Sequence, residues 1–358
     1  METLEAKKLI SDISTFSKKV GFNSFSITSL ENDEALKRYK HWIKNNFHGE
    51  MGYLKDRINV KENPNILLSN VKRVLSFSLD YLTVPLNNLK DKINDQKEPY
   101  ISIYARGNDY HQVIKNKLKR IISNICLLGF DRNQFRPIVD SAPLMEVEFA
   151  QKSGHGWRGK NTLLLNSSNG SFFFLAEILT TLELPLTKKN SDHCGSCSAC
   201  IDVCPTSAII KPYVLDARKC ISYLTIEHKT SIPIKFREKI GNRVYGCDDC
   251  QVFCPWNKFA KLSKETSFLR SRNLSSFNII ENFKLTEVEF SERYEYSPIK
   301  RIGYERWLRN LAVVMGNLEF KKEILSSLYE KLDKVSEMVK EHISWAIDRQ
   351  LDRECKKK

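Results

Sequence analysis

Between residues 194 and 255 the chain carries eight cysteines in a pattern that leaves little freedom to the fold around them. Cys194, Cys197 and Cys200 are separated by two residues each, and Cys204-Pro205 follows after three more. Cys220 stands alone, and Cys247-x2-Cys250-x3-Cys254-Pro255 closes the stretch. Three thiolates at two-residue gaps can wrap one face of a cubic iron–sulfur cluster. The fourth, followed by proline, points away and serves a second cluster. On that logic Cys194, Cys197, Cys200 and Cys254 ligate one [4Fe–4S] cluster.

The second run is incomplete. A full repeat would have cysteine at position 244, where Val244 stands. Cys204, Cys247 and Cys250 supply three ligands to the second cluster, and Cys220 completes the set. The stretch therefore reads as a bacterial two-cluster ferredoxin-like module. Zinc also takes four cysteines, but usually as two separate C-x2-C pairs, a poor match to a triple run ending in Cys-Pro. Disulfides require an oxidising compartment, and nothing in the sequence suggests export. Cys126 and Cys355 lie outside the array and read as structural or incidental.

A chain of 358 residues has room for two or three domains. It begins Met-Glu-Thr-Leu-Glu-Ala-Lys-Lys, a polar amphipathic start without an apolar core segment or twin arginine. No apolar run approaches the roughly 20 residues that span a bilayer. Thiolate-bound clusters without an export signal imply a reducing cytoplasm, with no membrane association. The net charge of +14 suits a polyanion such as nucleic acid, although solubility alone would also account for it.

Residues 1–184 alternate between helical and strand patterns, which argues for an α/β domain. Helices are expected from about Glu2 to Val20, after Asn32, from Tyr110 to Leu128, and over Leu144–Lys152. Strands are expected over Phe22–Ile27, Val71–Tyr81 and Phe135–Asp140. Thr162–Asn166 and Ser171–Ile178 read as a hairpin around Ser168-Asn169-Gly170. Residues 185–260 form the cluster module, with a helix over Asp216–Glu227 carrying Cys220. Metal–thiolate bonds there replace much of a hydrophobic core. Residues 261–358 are helical. Trp307–Asn317 and Val339–Ile347 look like two copies of a HEAT-type helix roughly 40 residues apart. The alternative is a generic helical cap over the cluster module. Arg353–Lys358 forms a charged tail.

Two segments invite a chemical reading. Gly154-His-Gly156-Trp-Arg-Gly159-Lys160 satisfies G-x-G-x-x-G and nearly a Walker A loop, but Asn161 replaces the required Ser or Thr. A helix before it and a strand after it are the reverse of what either motif needs. Asp140 follows the apolar strand Pro137-Ile138-Val139. A carboxylate at a strand end often faces a cleft, and partial desolvation would raise its pKa and make it a proton donor. The competing reading is a helix cap before Pro143.

Taken together, several motifs resemble the epoxyqueuosine reductase family. They are Val139-Asp140-Ser141-Ala142-Pro143-Leu144-Met145-Glu146, Gly156-Trp157-Arg158-Gly159-Lys160-Asn161, Tyr104-Ala105-Arg106-Gly107-Asn108-Asp109-Tyr110-His111 and Tyr245-Gly246-Cys247-Asp248-Asp249-Cys250-Gln251, with the cysteine array. The likeness runs in order from about Met51 to Lys258. It implies a cobalamin-dependent iron–sulfur enzyme that reduces epoxyqueuosine to queuosine at the wobble position of tRNA anticodons. It also implies an N-terminal α/β cobalamin-binding domain like that of reductive dehalogenases, within an α+β multidomain chain. The proton-donating aspartate of the family falls on Asp140. Tyr104, Arg106, Gly107, Asp140, Lys160, Asn161 and Thr162 would line the cobalamin pocket. The D-x-H-x-x-G cobalamin motif is not met, because Ile114 occupies the glycine position.

The implied chemistry is coherent. Removing an epoxide oxygen as water takes two electrons and protons, and two clusters in series pass one electron at a time from an external low-potential donor. The chain is expected to act as a monomer on the anticodon stem-loop, with the target base splayed out. Two other readings compete: a reductive dehalogenase-like corrinoid enzyme acting on a small molecule, and a two-cluster electron carrier. The first class usually carries a twin-arginine signal and has no need of such a positive charge. The second leaves the N-terminal domain without a task.

Overall fold

Four strands form the one sheet of more than two strands among the described residues of the computed structural model, which are 3–188, 191–269 and 277–357. They are β1 (Ser24–Thr28), β2 (Arg73–Asp80), β3 (Phe135–Ile138) and β4 (Phe173–Thr180). Their order is β1-β2-β4-β3, and every neighbouring pair is antiparallel. Met1, Glu2 and Lys358, which belong to the expected terminal segments, lie outside the described residues.

The central strand β2 is buried at seven of its eight residues because both faces of the sheet are covered. Leu75, Phe77 and Leu79 share one side with Leu9 and Ile13 of α1 (Thr3–Lys19). Ile114, Leu118, Ile121 and Ile125 join them from a long helix over Tyr110–Leu127. Val74, Leu179 and Ile138 face the other side, against Leu144 and against Phe149 in the helix Glu146–Lys152. The two-residue period of a strand sorts these side chains, and the helices seal both layers. The mixed α/β content matches the alternating pattern, but the sheet is antiparallel throughout.

Two local expectations are corrected. Leu164–Leu165 does not pair with the following strand; it pairs with Trp157–Arg158 as a small separate hairpin. Phe173–Thr180 joins the main sheet instead, leaving only the Asn166–Gly170 bridge at the turn. The helix expected over Asp216–Glu227 is broken at Cys220. A short 3-10 turn, Ala217–Lys219, ends there, and Cys220 caps the helix Ile221–Ile226 in an extended conformation.

The cluster-bearing segment and the C-terminal helices share one core. Ile221, Leu224, Val244 and Tyr245 pack with Phe283, Trp307, Leu311, Val314, Val339 and Ile343. The helices Tyr304–Asn317 and Glu337–Lys357 contact closely. Gly316 makes this possible, since a Cβ there would lie 2.9 Å from Ala346 Cα. Val244, at the position of the missing ninth cysteine of a full repeat, is a fully buried strand residue in Arg243–Tyr245, which pairs in parallel with Tyr100–Ile101. No described helix is long and apolar enough to cross a membrane.

Candidate active site and cluster-binding module

Asp140 sits two residues beyond β3, on the loop that enters the helix Glu146–Lys152. Its φ is +40°, a left-handed conformation that Asp tolerates better than most residues. Its backbone N–H donates to Glu146 Oε1 at 2.8 Å, which holds the turn. Met145 occupies the N-cap position of that helix, so capping is not the role of Asp140.

The start of the helix Tyr110–Leu127 delivers three groups to this loop. Asp109 is its N-cap and accepts the His111 N–H at 3.0 Å. The Tyr110 hydroxyl donates to Asp140 Oδ2. His111 reaches both carboxylates: Nδ1 lies 2.8 Å from Asp109 Oδ1 and Nε2 lies 3.3 Å from Asp140 Oδ2. The Tyr110 and His111 rings stack at 4.1 Å.

This arrangement corrects the expected titration of Asp140. Burial pushes its carboxyl up, but hydrogen bonds from His111 and Tyr110, with the His111 and Arg301 charges, outweigh burial and hold it below its ordinary value. Burial lowers His111, yet its bonds to Asp109 and Asp140 carry it up to about 9. The resting pair is an imidazolium beside a carboxylate. Behind it, burial and the Asp140 charge push Glu146 up to about 7. Glu177, from β4, is fully buried and pushed well up by burial and by Glu146. Ser76 Oγ donates to Glu177 Oε1 at 3.3 Å, while Glu177 Oε2 has no protein donor. Glu177, fully buried beside the half-buried Glu146, is held toward its neutral form.

The Asp140 side chain is 52% exposed, and a large cavity is what it faces. The cavity measures about 1300 Å³, above the roughly 300–1,000 Å³ of sites for drug-sized ligands. Tyr39, Trp42, Phe47, Leu144 and Met145 give it broad apolar walls. Ile210–Leu215 of the cluster-bearing segment and the ion-paired Arg301 and Glu227 complete its lining. Thr162, at φ +73°, also lines it.

The other residues expected at a cofactor are placed differently. Tyr104 packs edge-on against Tyr110 at 6.1 Å, behind the acid. Arg106 donates through Nε to Ile101 O at 2.8 Å and lies over the Tyr100 ring. Gly107 abuts Phe268, where a Cβ would come within 2.5 Å of Cα. Lys160 Nζ donates to Gly195 O at 2.6 Å and Cys197 O at 2.7 Å, which ties it to the first cysteine loop. Asn161 donates through Nδ2 to Cys250 O at 3.2 Å. None of these five lines the large cavity. The glycine run around them enters a tight hairpin, in which a Cβ on Gly156 would overlap Leu165 O.

All ten cysteines are free. Cys194, Cys197, Cys200 and Cys254 line one small cavity of about 80 Å³, with Lys160, Asn161 and Trp256. Trp157 Nε1 donates to Cys194 Sγ at 3.4 Å. Cys204, Cys220, Cys247 and Cys250 make a second group. Burial raises Cys220, Cys247 and Cys250, and neighbouring thiolates of the same group raise them further. Cys200 acts on Cys250 in the same way, so the two groups adjoin. Four half-buried cysteine sulfurs gathered in this way suit a cluster, whose iron compensates the charge of the thiolates that ligate it.

The motif around the second run has its own supports. Asp248 accepts from Tyr100 Oη at 2.7 Å, Ser102 Oγ at 2.5 Å and the Ile103 N–H at 2.8 Å. Asp249 is clamped by Arg243 through Nε at 2.8 Å and Nη2 at 2.6 Å, and accepts from Cys247 Sγ. Gln251 joins Tyr81 and Ser171.

Fold and site together define a two-cluster iron–sulfur oxidoreductase with an acid-bearing cavity. A model described as "4Fe-4S double cluster binding domain" matches residues 193–257, and "Epoxyqueuosine reductase QueG" matches residues 61–141. Epoxyqueuosine reductase of Pseudomonas aeruginosa is 41% identical over 343 residues, which covers 96% of this chain and 94% of that protein. The structure of epoxyqueuosine reductase from Bacillus subtilis, its catalytic aspartate loop swung out of the active site, matches with a TM-score of 0.84 at 25% identity, covering 96% of this chain and 91% of that one. An epoxyqueuosine reductase bound to an epoxyqueuosine-modified tyrosine tRNA stem loop matches with a TM-score of 0.80 at 24% identity, covering 97% and 100%. The chain belongs to the epoxyqueuosine reductase family.

Proposed function

We propose that this protein reduces epoxyqueuosine to queuosine at the wobble position of tRNA anticodons, in the cytoplasm, with electrons from an external low-potential donor. The observation that carries the reading is Asp140, projected into a large cavity whose wall includes residues 210–215 of the cluster-bearing segment. Relatives with near-full coverage bear the name of this activity, and the net charge of +14 suits a tRNA partner.

Cys194, Cys197, Cys200 and Cys254 hold the first [4Fe–4S] cluster, and Cys204, Cys220, Cys247 and Cys250 the second. The cavity fits cobalamin in size and in its broad apolar walls, with Thr162 and Asp140 among the residues that would hold it. When bound, cobalamin supplies low-valent cobalt able to reduce a strained C–O bond. The protein does the rest. The cavity walls shield the reacting base from bulk water, and Arg301 and Glu227 present paired charges at the same cavity. Asp140, as the neutral acid, gives a proton to the departing epoxide oxygen, an aid worth about 10²–10⁴-fold.

The test is anaerobic turnover of tRNA carrying epoxyqueuosine, read by mass spectrometry of the digested nucleosides. Wild-type enzyme should yield queuosine. Asp140→Asn should retain clusters, corrinoid and tRNA affinity but lose turnover. A variant as fast as wild type would remove Asp140 from the mechanism.

A further inference from the structure

A carboxylate cannot donate a proton it does not hold. The hydrogen bonds around Asp140 favour its ionised form, so the acid needs a source close by. Only one cation contacts it directly among the described residues, and that cation is His111.

The ring of His111 bridges two carboxylates. Nδ1 meets Asp109 Oδ1 at 2.8 Å and Nε2 meets Asp140 Oδ2 at 3.3 Å. Asp109 is itself fixed, because its N–H donates to Tyr296 O at 2.7 Å and its side chain caps the helix. Tyr110 donates to the same Oδ2 from the preceding position. Asp140 Oδ1 has no protein hydrogen bond among the described residues, so one oxygen faces the relay and the other is left for a ligand. The remaining charges are Arg301, which acts on both Asp109 and Asp140, and Lys61, Glu146 and Glu177, which interact with Asp140. The His111 side chain is only 19% exposed, so its proton exchanges chiefly through these partners.

We propose that His111 is the proton reserve of Asp140. The inference rests on the reaction proposed above. The overall reduction consumes two electrons and two protons, breaks both epoxide C–O bonds and yields an alkene and water. For one of those protons, transfer from His111 Nε2 to Asp140 Oδ2 converts the carboxylate to the neutral acid, and a turn of the carboxyl about its Cβ–Cγ bond carries that O–H to the ligand side. That acid then protonates the departing oxygen and returns to carboxylate. His111 is left neutral, its Nδ1–H still on Asp109, until a solvent proton restores the imidazolium. The second proton comes from water in the cavity. His111 never touches substrate; it acts through Asp140, and Asp109 fixes the orientation of the ring.

The test has two readouts on the holoenzyme. In the first, enzyme carrying ¹³C-labelled histidine is titrated by NMR, with the His111 signal assigned by its loss in His111→Gln. The midpoint should lie near 9 and fall in Asp109→Asn, which retains the helix cap but lacks the charge. A wild-type midpoint near the ordinary value of about 6.5 overturns the proposal. In the second, single-turnover rates are followed against pH. Wild-type rate should fall as pH rises through the His111 midpoint. His111→Gln should be slower by about 10²-fold or more at neutral pH and lack that limb, with tRNA affinity and cluster spectra retained. Equal rates and an unchanged profile in His111→Gln also overturn the proposal. A wild-type enzyme that forms no queuosine counts against the assigned reaction instead, and the NMR midpoint then decides the relay by itself.

Discussion

Glu146 accepts the Asp140 N–H at 2.8 Å while its carboxyl also meets that of Glu177 in the interior. One side chain thus fixes the backbone of the acid and anchors that backbone to the sheet, since Glu177 belongs to β4 and pairs with Ile138 of β3. The φ of +40° at Asp140 needs such an anchor, because an unsupported loop would relax from it.

Glu146→Ala should therefore release the Asp140 loop. The lost bond and the stranded Glu177 carboxyl together represent about 1–3 kcal/mol, or roughly 5- to 150-fold in the population of the placed loop. Turnover should drop by a factor in that range, while Glu146→Gln, which keeps an acceptor oxygen, should stay within a few-fold of wild type. Single-turnover rates of the two variants check this. Equal losses would show that the charge, rather than the acceptor, matters.

The same pair sets a pH dependence of stability. Glu146 titrates at about 7 in the fold, against an ordinary value of 4.5. Its folded form thus holds a proton that the unfolded chain gives up above pH 4.5. Stability from this group is complete below 4.5 and is lost as pH rises through about 7. Glu146→Gln removes the titrating carboxyl, so the decline in thermal midpoint between pH 5 and 8 should flatten. Anaerobic melts across that range, at one scan rate, decide it. A slope unchanged from wild type would mean that the pair does not titrate there.

Much of the site could be read from the chain, and the rest fails for identifiable reasons. The two cysteine runs and their cross-over are legible in the spacing, with Cys220 assigned as the remaining cysteine, and the structure places Cys254 in the same small cavity as the first run. The sheet direction did not show, because β2 and β4 are covered on both faces. They read as continuous apolar runs, a pattern that parallel and doubly covered antiparallel strands share. The contact of His111 with Asp140 was hidden because the two lie 29 positions apart in the chain. Glu177 had a signal that could have found it: a lone acid in Phe173-Phe-Leu-Ala-Glu-Ile-Leu-Thr180 must be protonated or paired. Lys160 and Asn161 were legible as polar groups on a glycine-rich turn, but not as supports for cysteine-bearing loops.

Trp157→Phe should tune the first cluster without dissolving it. The indole N–H donates to Cys194 Sγ at 3.4 Å, and Trp157 is otherwise packed edge-on against His193 and Trp256. Hydrogen bonds to cluster sulfur raise the reduction potential by stabilising the added charge. A net contribution of about 0.5–1.5 kcal/mol corresponds to roughly 20–60 mV for one electron. Redox titration followed by electron paramagnetic resonance should show a fall of that size in one cluster only. An unshifted potential would mean that the contact has no electronic consequence.

Lys160→Met should loosen the loop that carries Cys194 and Cys197. The ammonium closes two carbonyls of that loop, Gly195 O and Cys197 O, and methionine keeps the stem but not the donors. The bonds lie at the surface, so their combined worth is about 1–3 kcal/mol rather than the sum for buried ones. Oxygen-dependent bleaching of the visible cluster absorbance should be several-fold faster, with corrinoid content unchanged. Corrinoid lost with the clusters intact would instead place Lys160 at the cofactor.

Arg309 carries the last prediction, because it joins the C-terminal helix Tyr304–Asn317 to the segment around Cys220. Its guanidinium is fully buried and has no carboxylate partner among the described residues. It donates instead to three backbone carbonyls, Leu224 O at 2.8 Å, His228 O at 2.8 Å and Thr230 O at 2.7 Å, and to the side-chain oxygen of Asn310. Leu224 belongs to the helix Ile221–Ile226, and its carbonyl is among those that so short a helix leaves without an internal partner. Burial, helped by the Arg306 charge, pulls the Arg309 pKa down to about 9, which still leaves it charged at neutral pH. Arg309→Met fills a similar volume but strands all three carbonyls, at a cost of roughly 3–5 kcal/mol. Arg309→Lys supplies a charge but not the planar fork, and should recover only part of that loss. Because Cys220 caps the same helix, iron should leave the second cysteine group before the first as the variant is warmed. Anaerobic melts combined with iron release and cluster spectra would measure both effects. Loss of the two clusters together, at the wild-type temperature, would mean that this arginine does not hold the Cys220 segment in place.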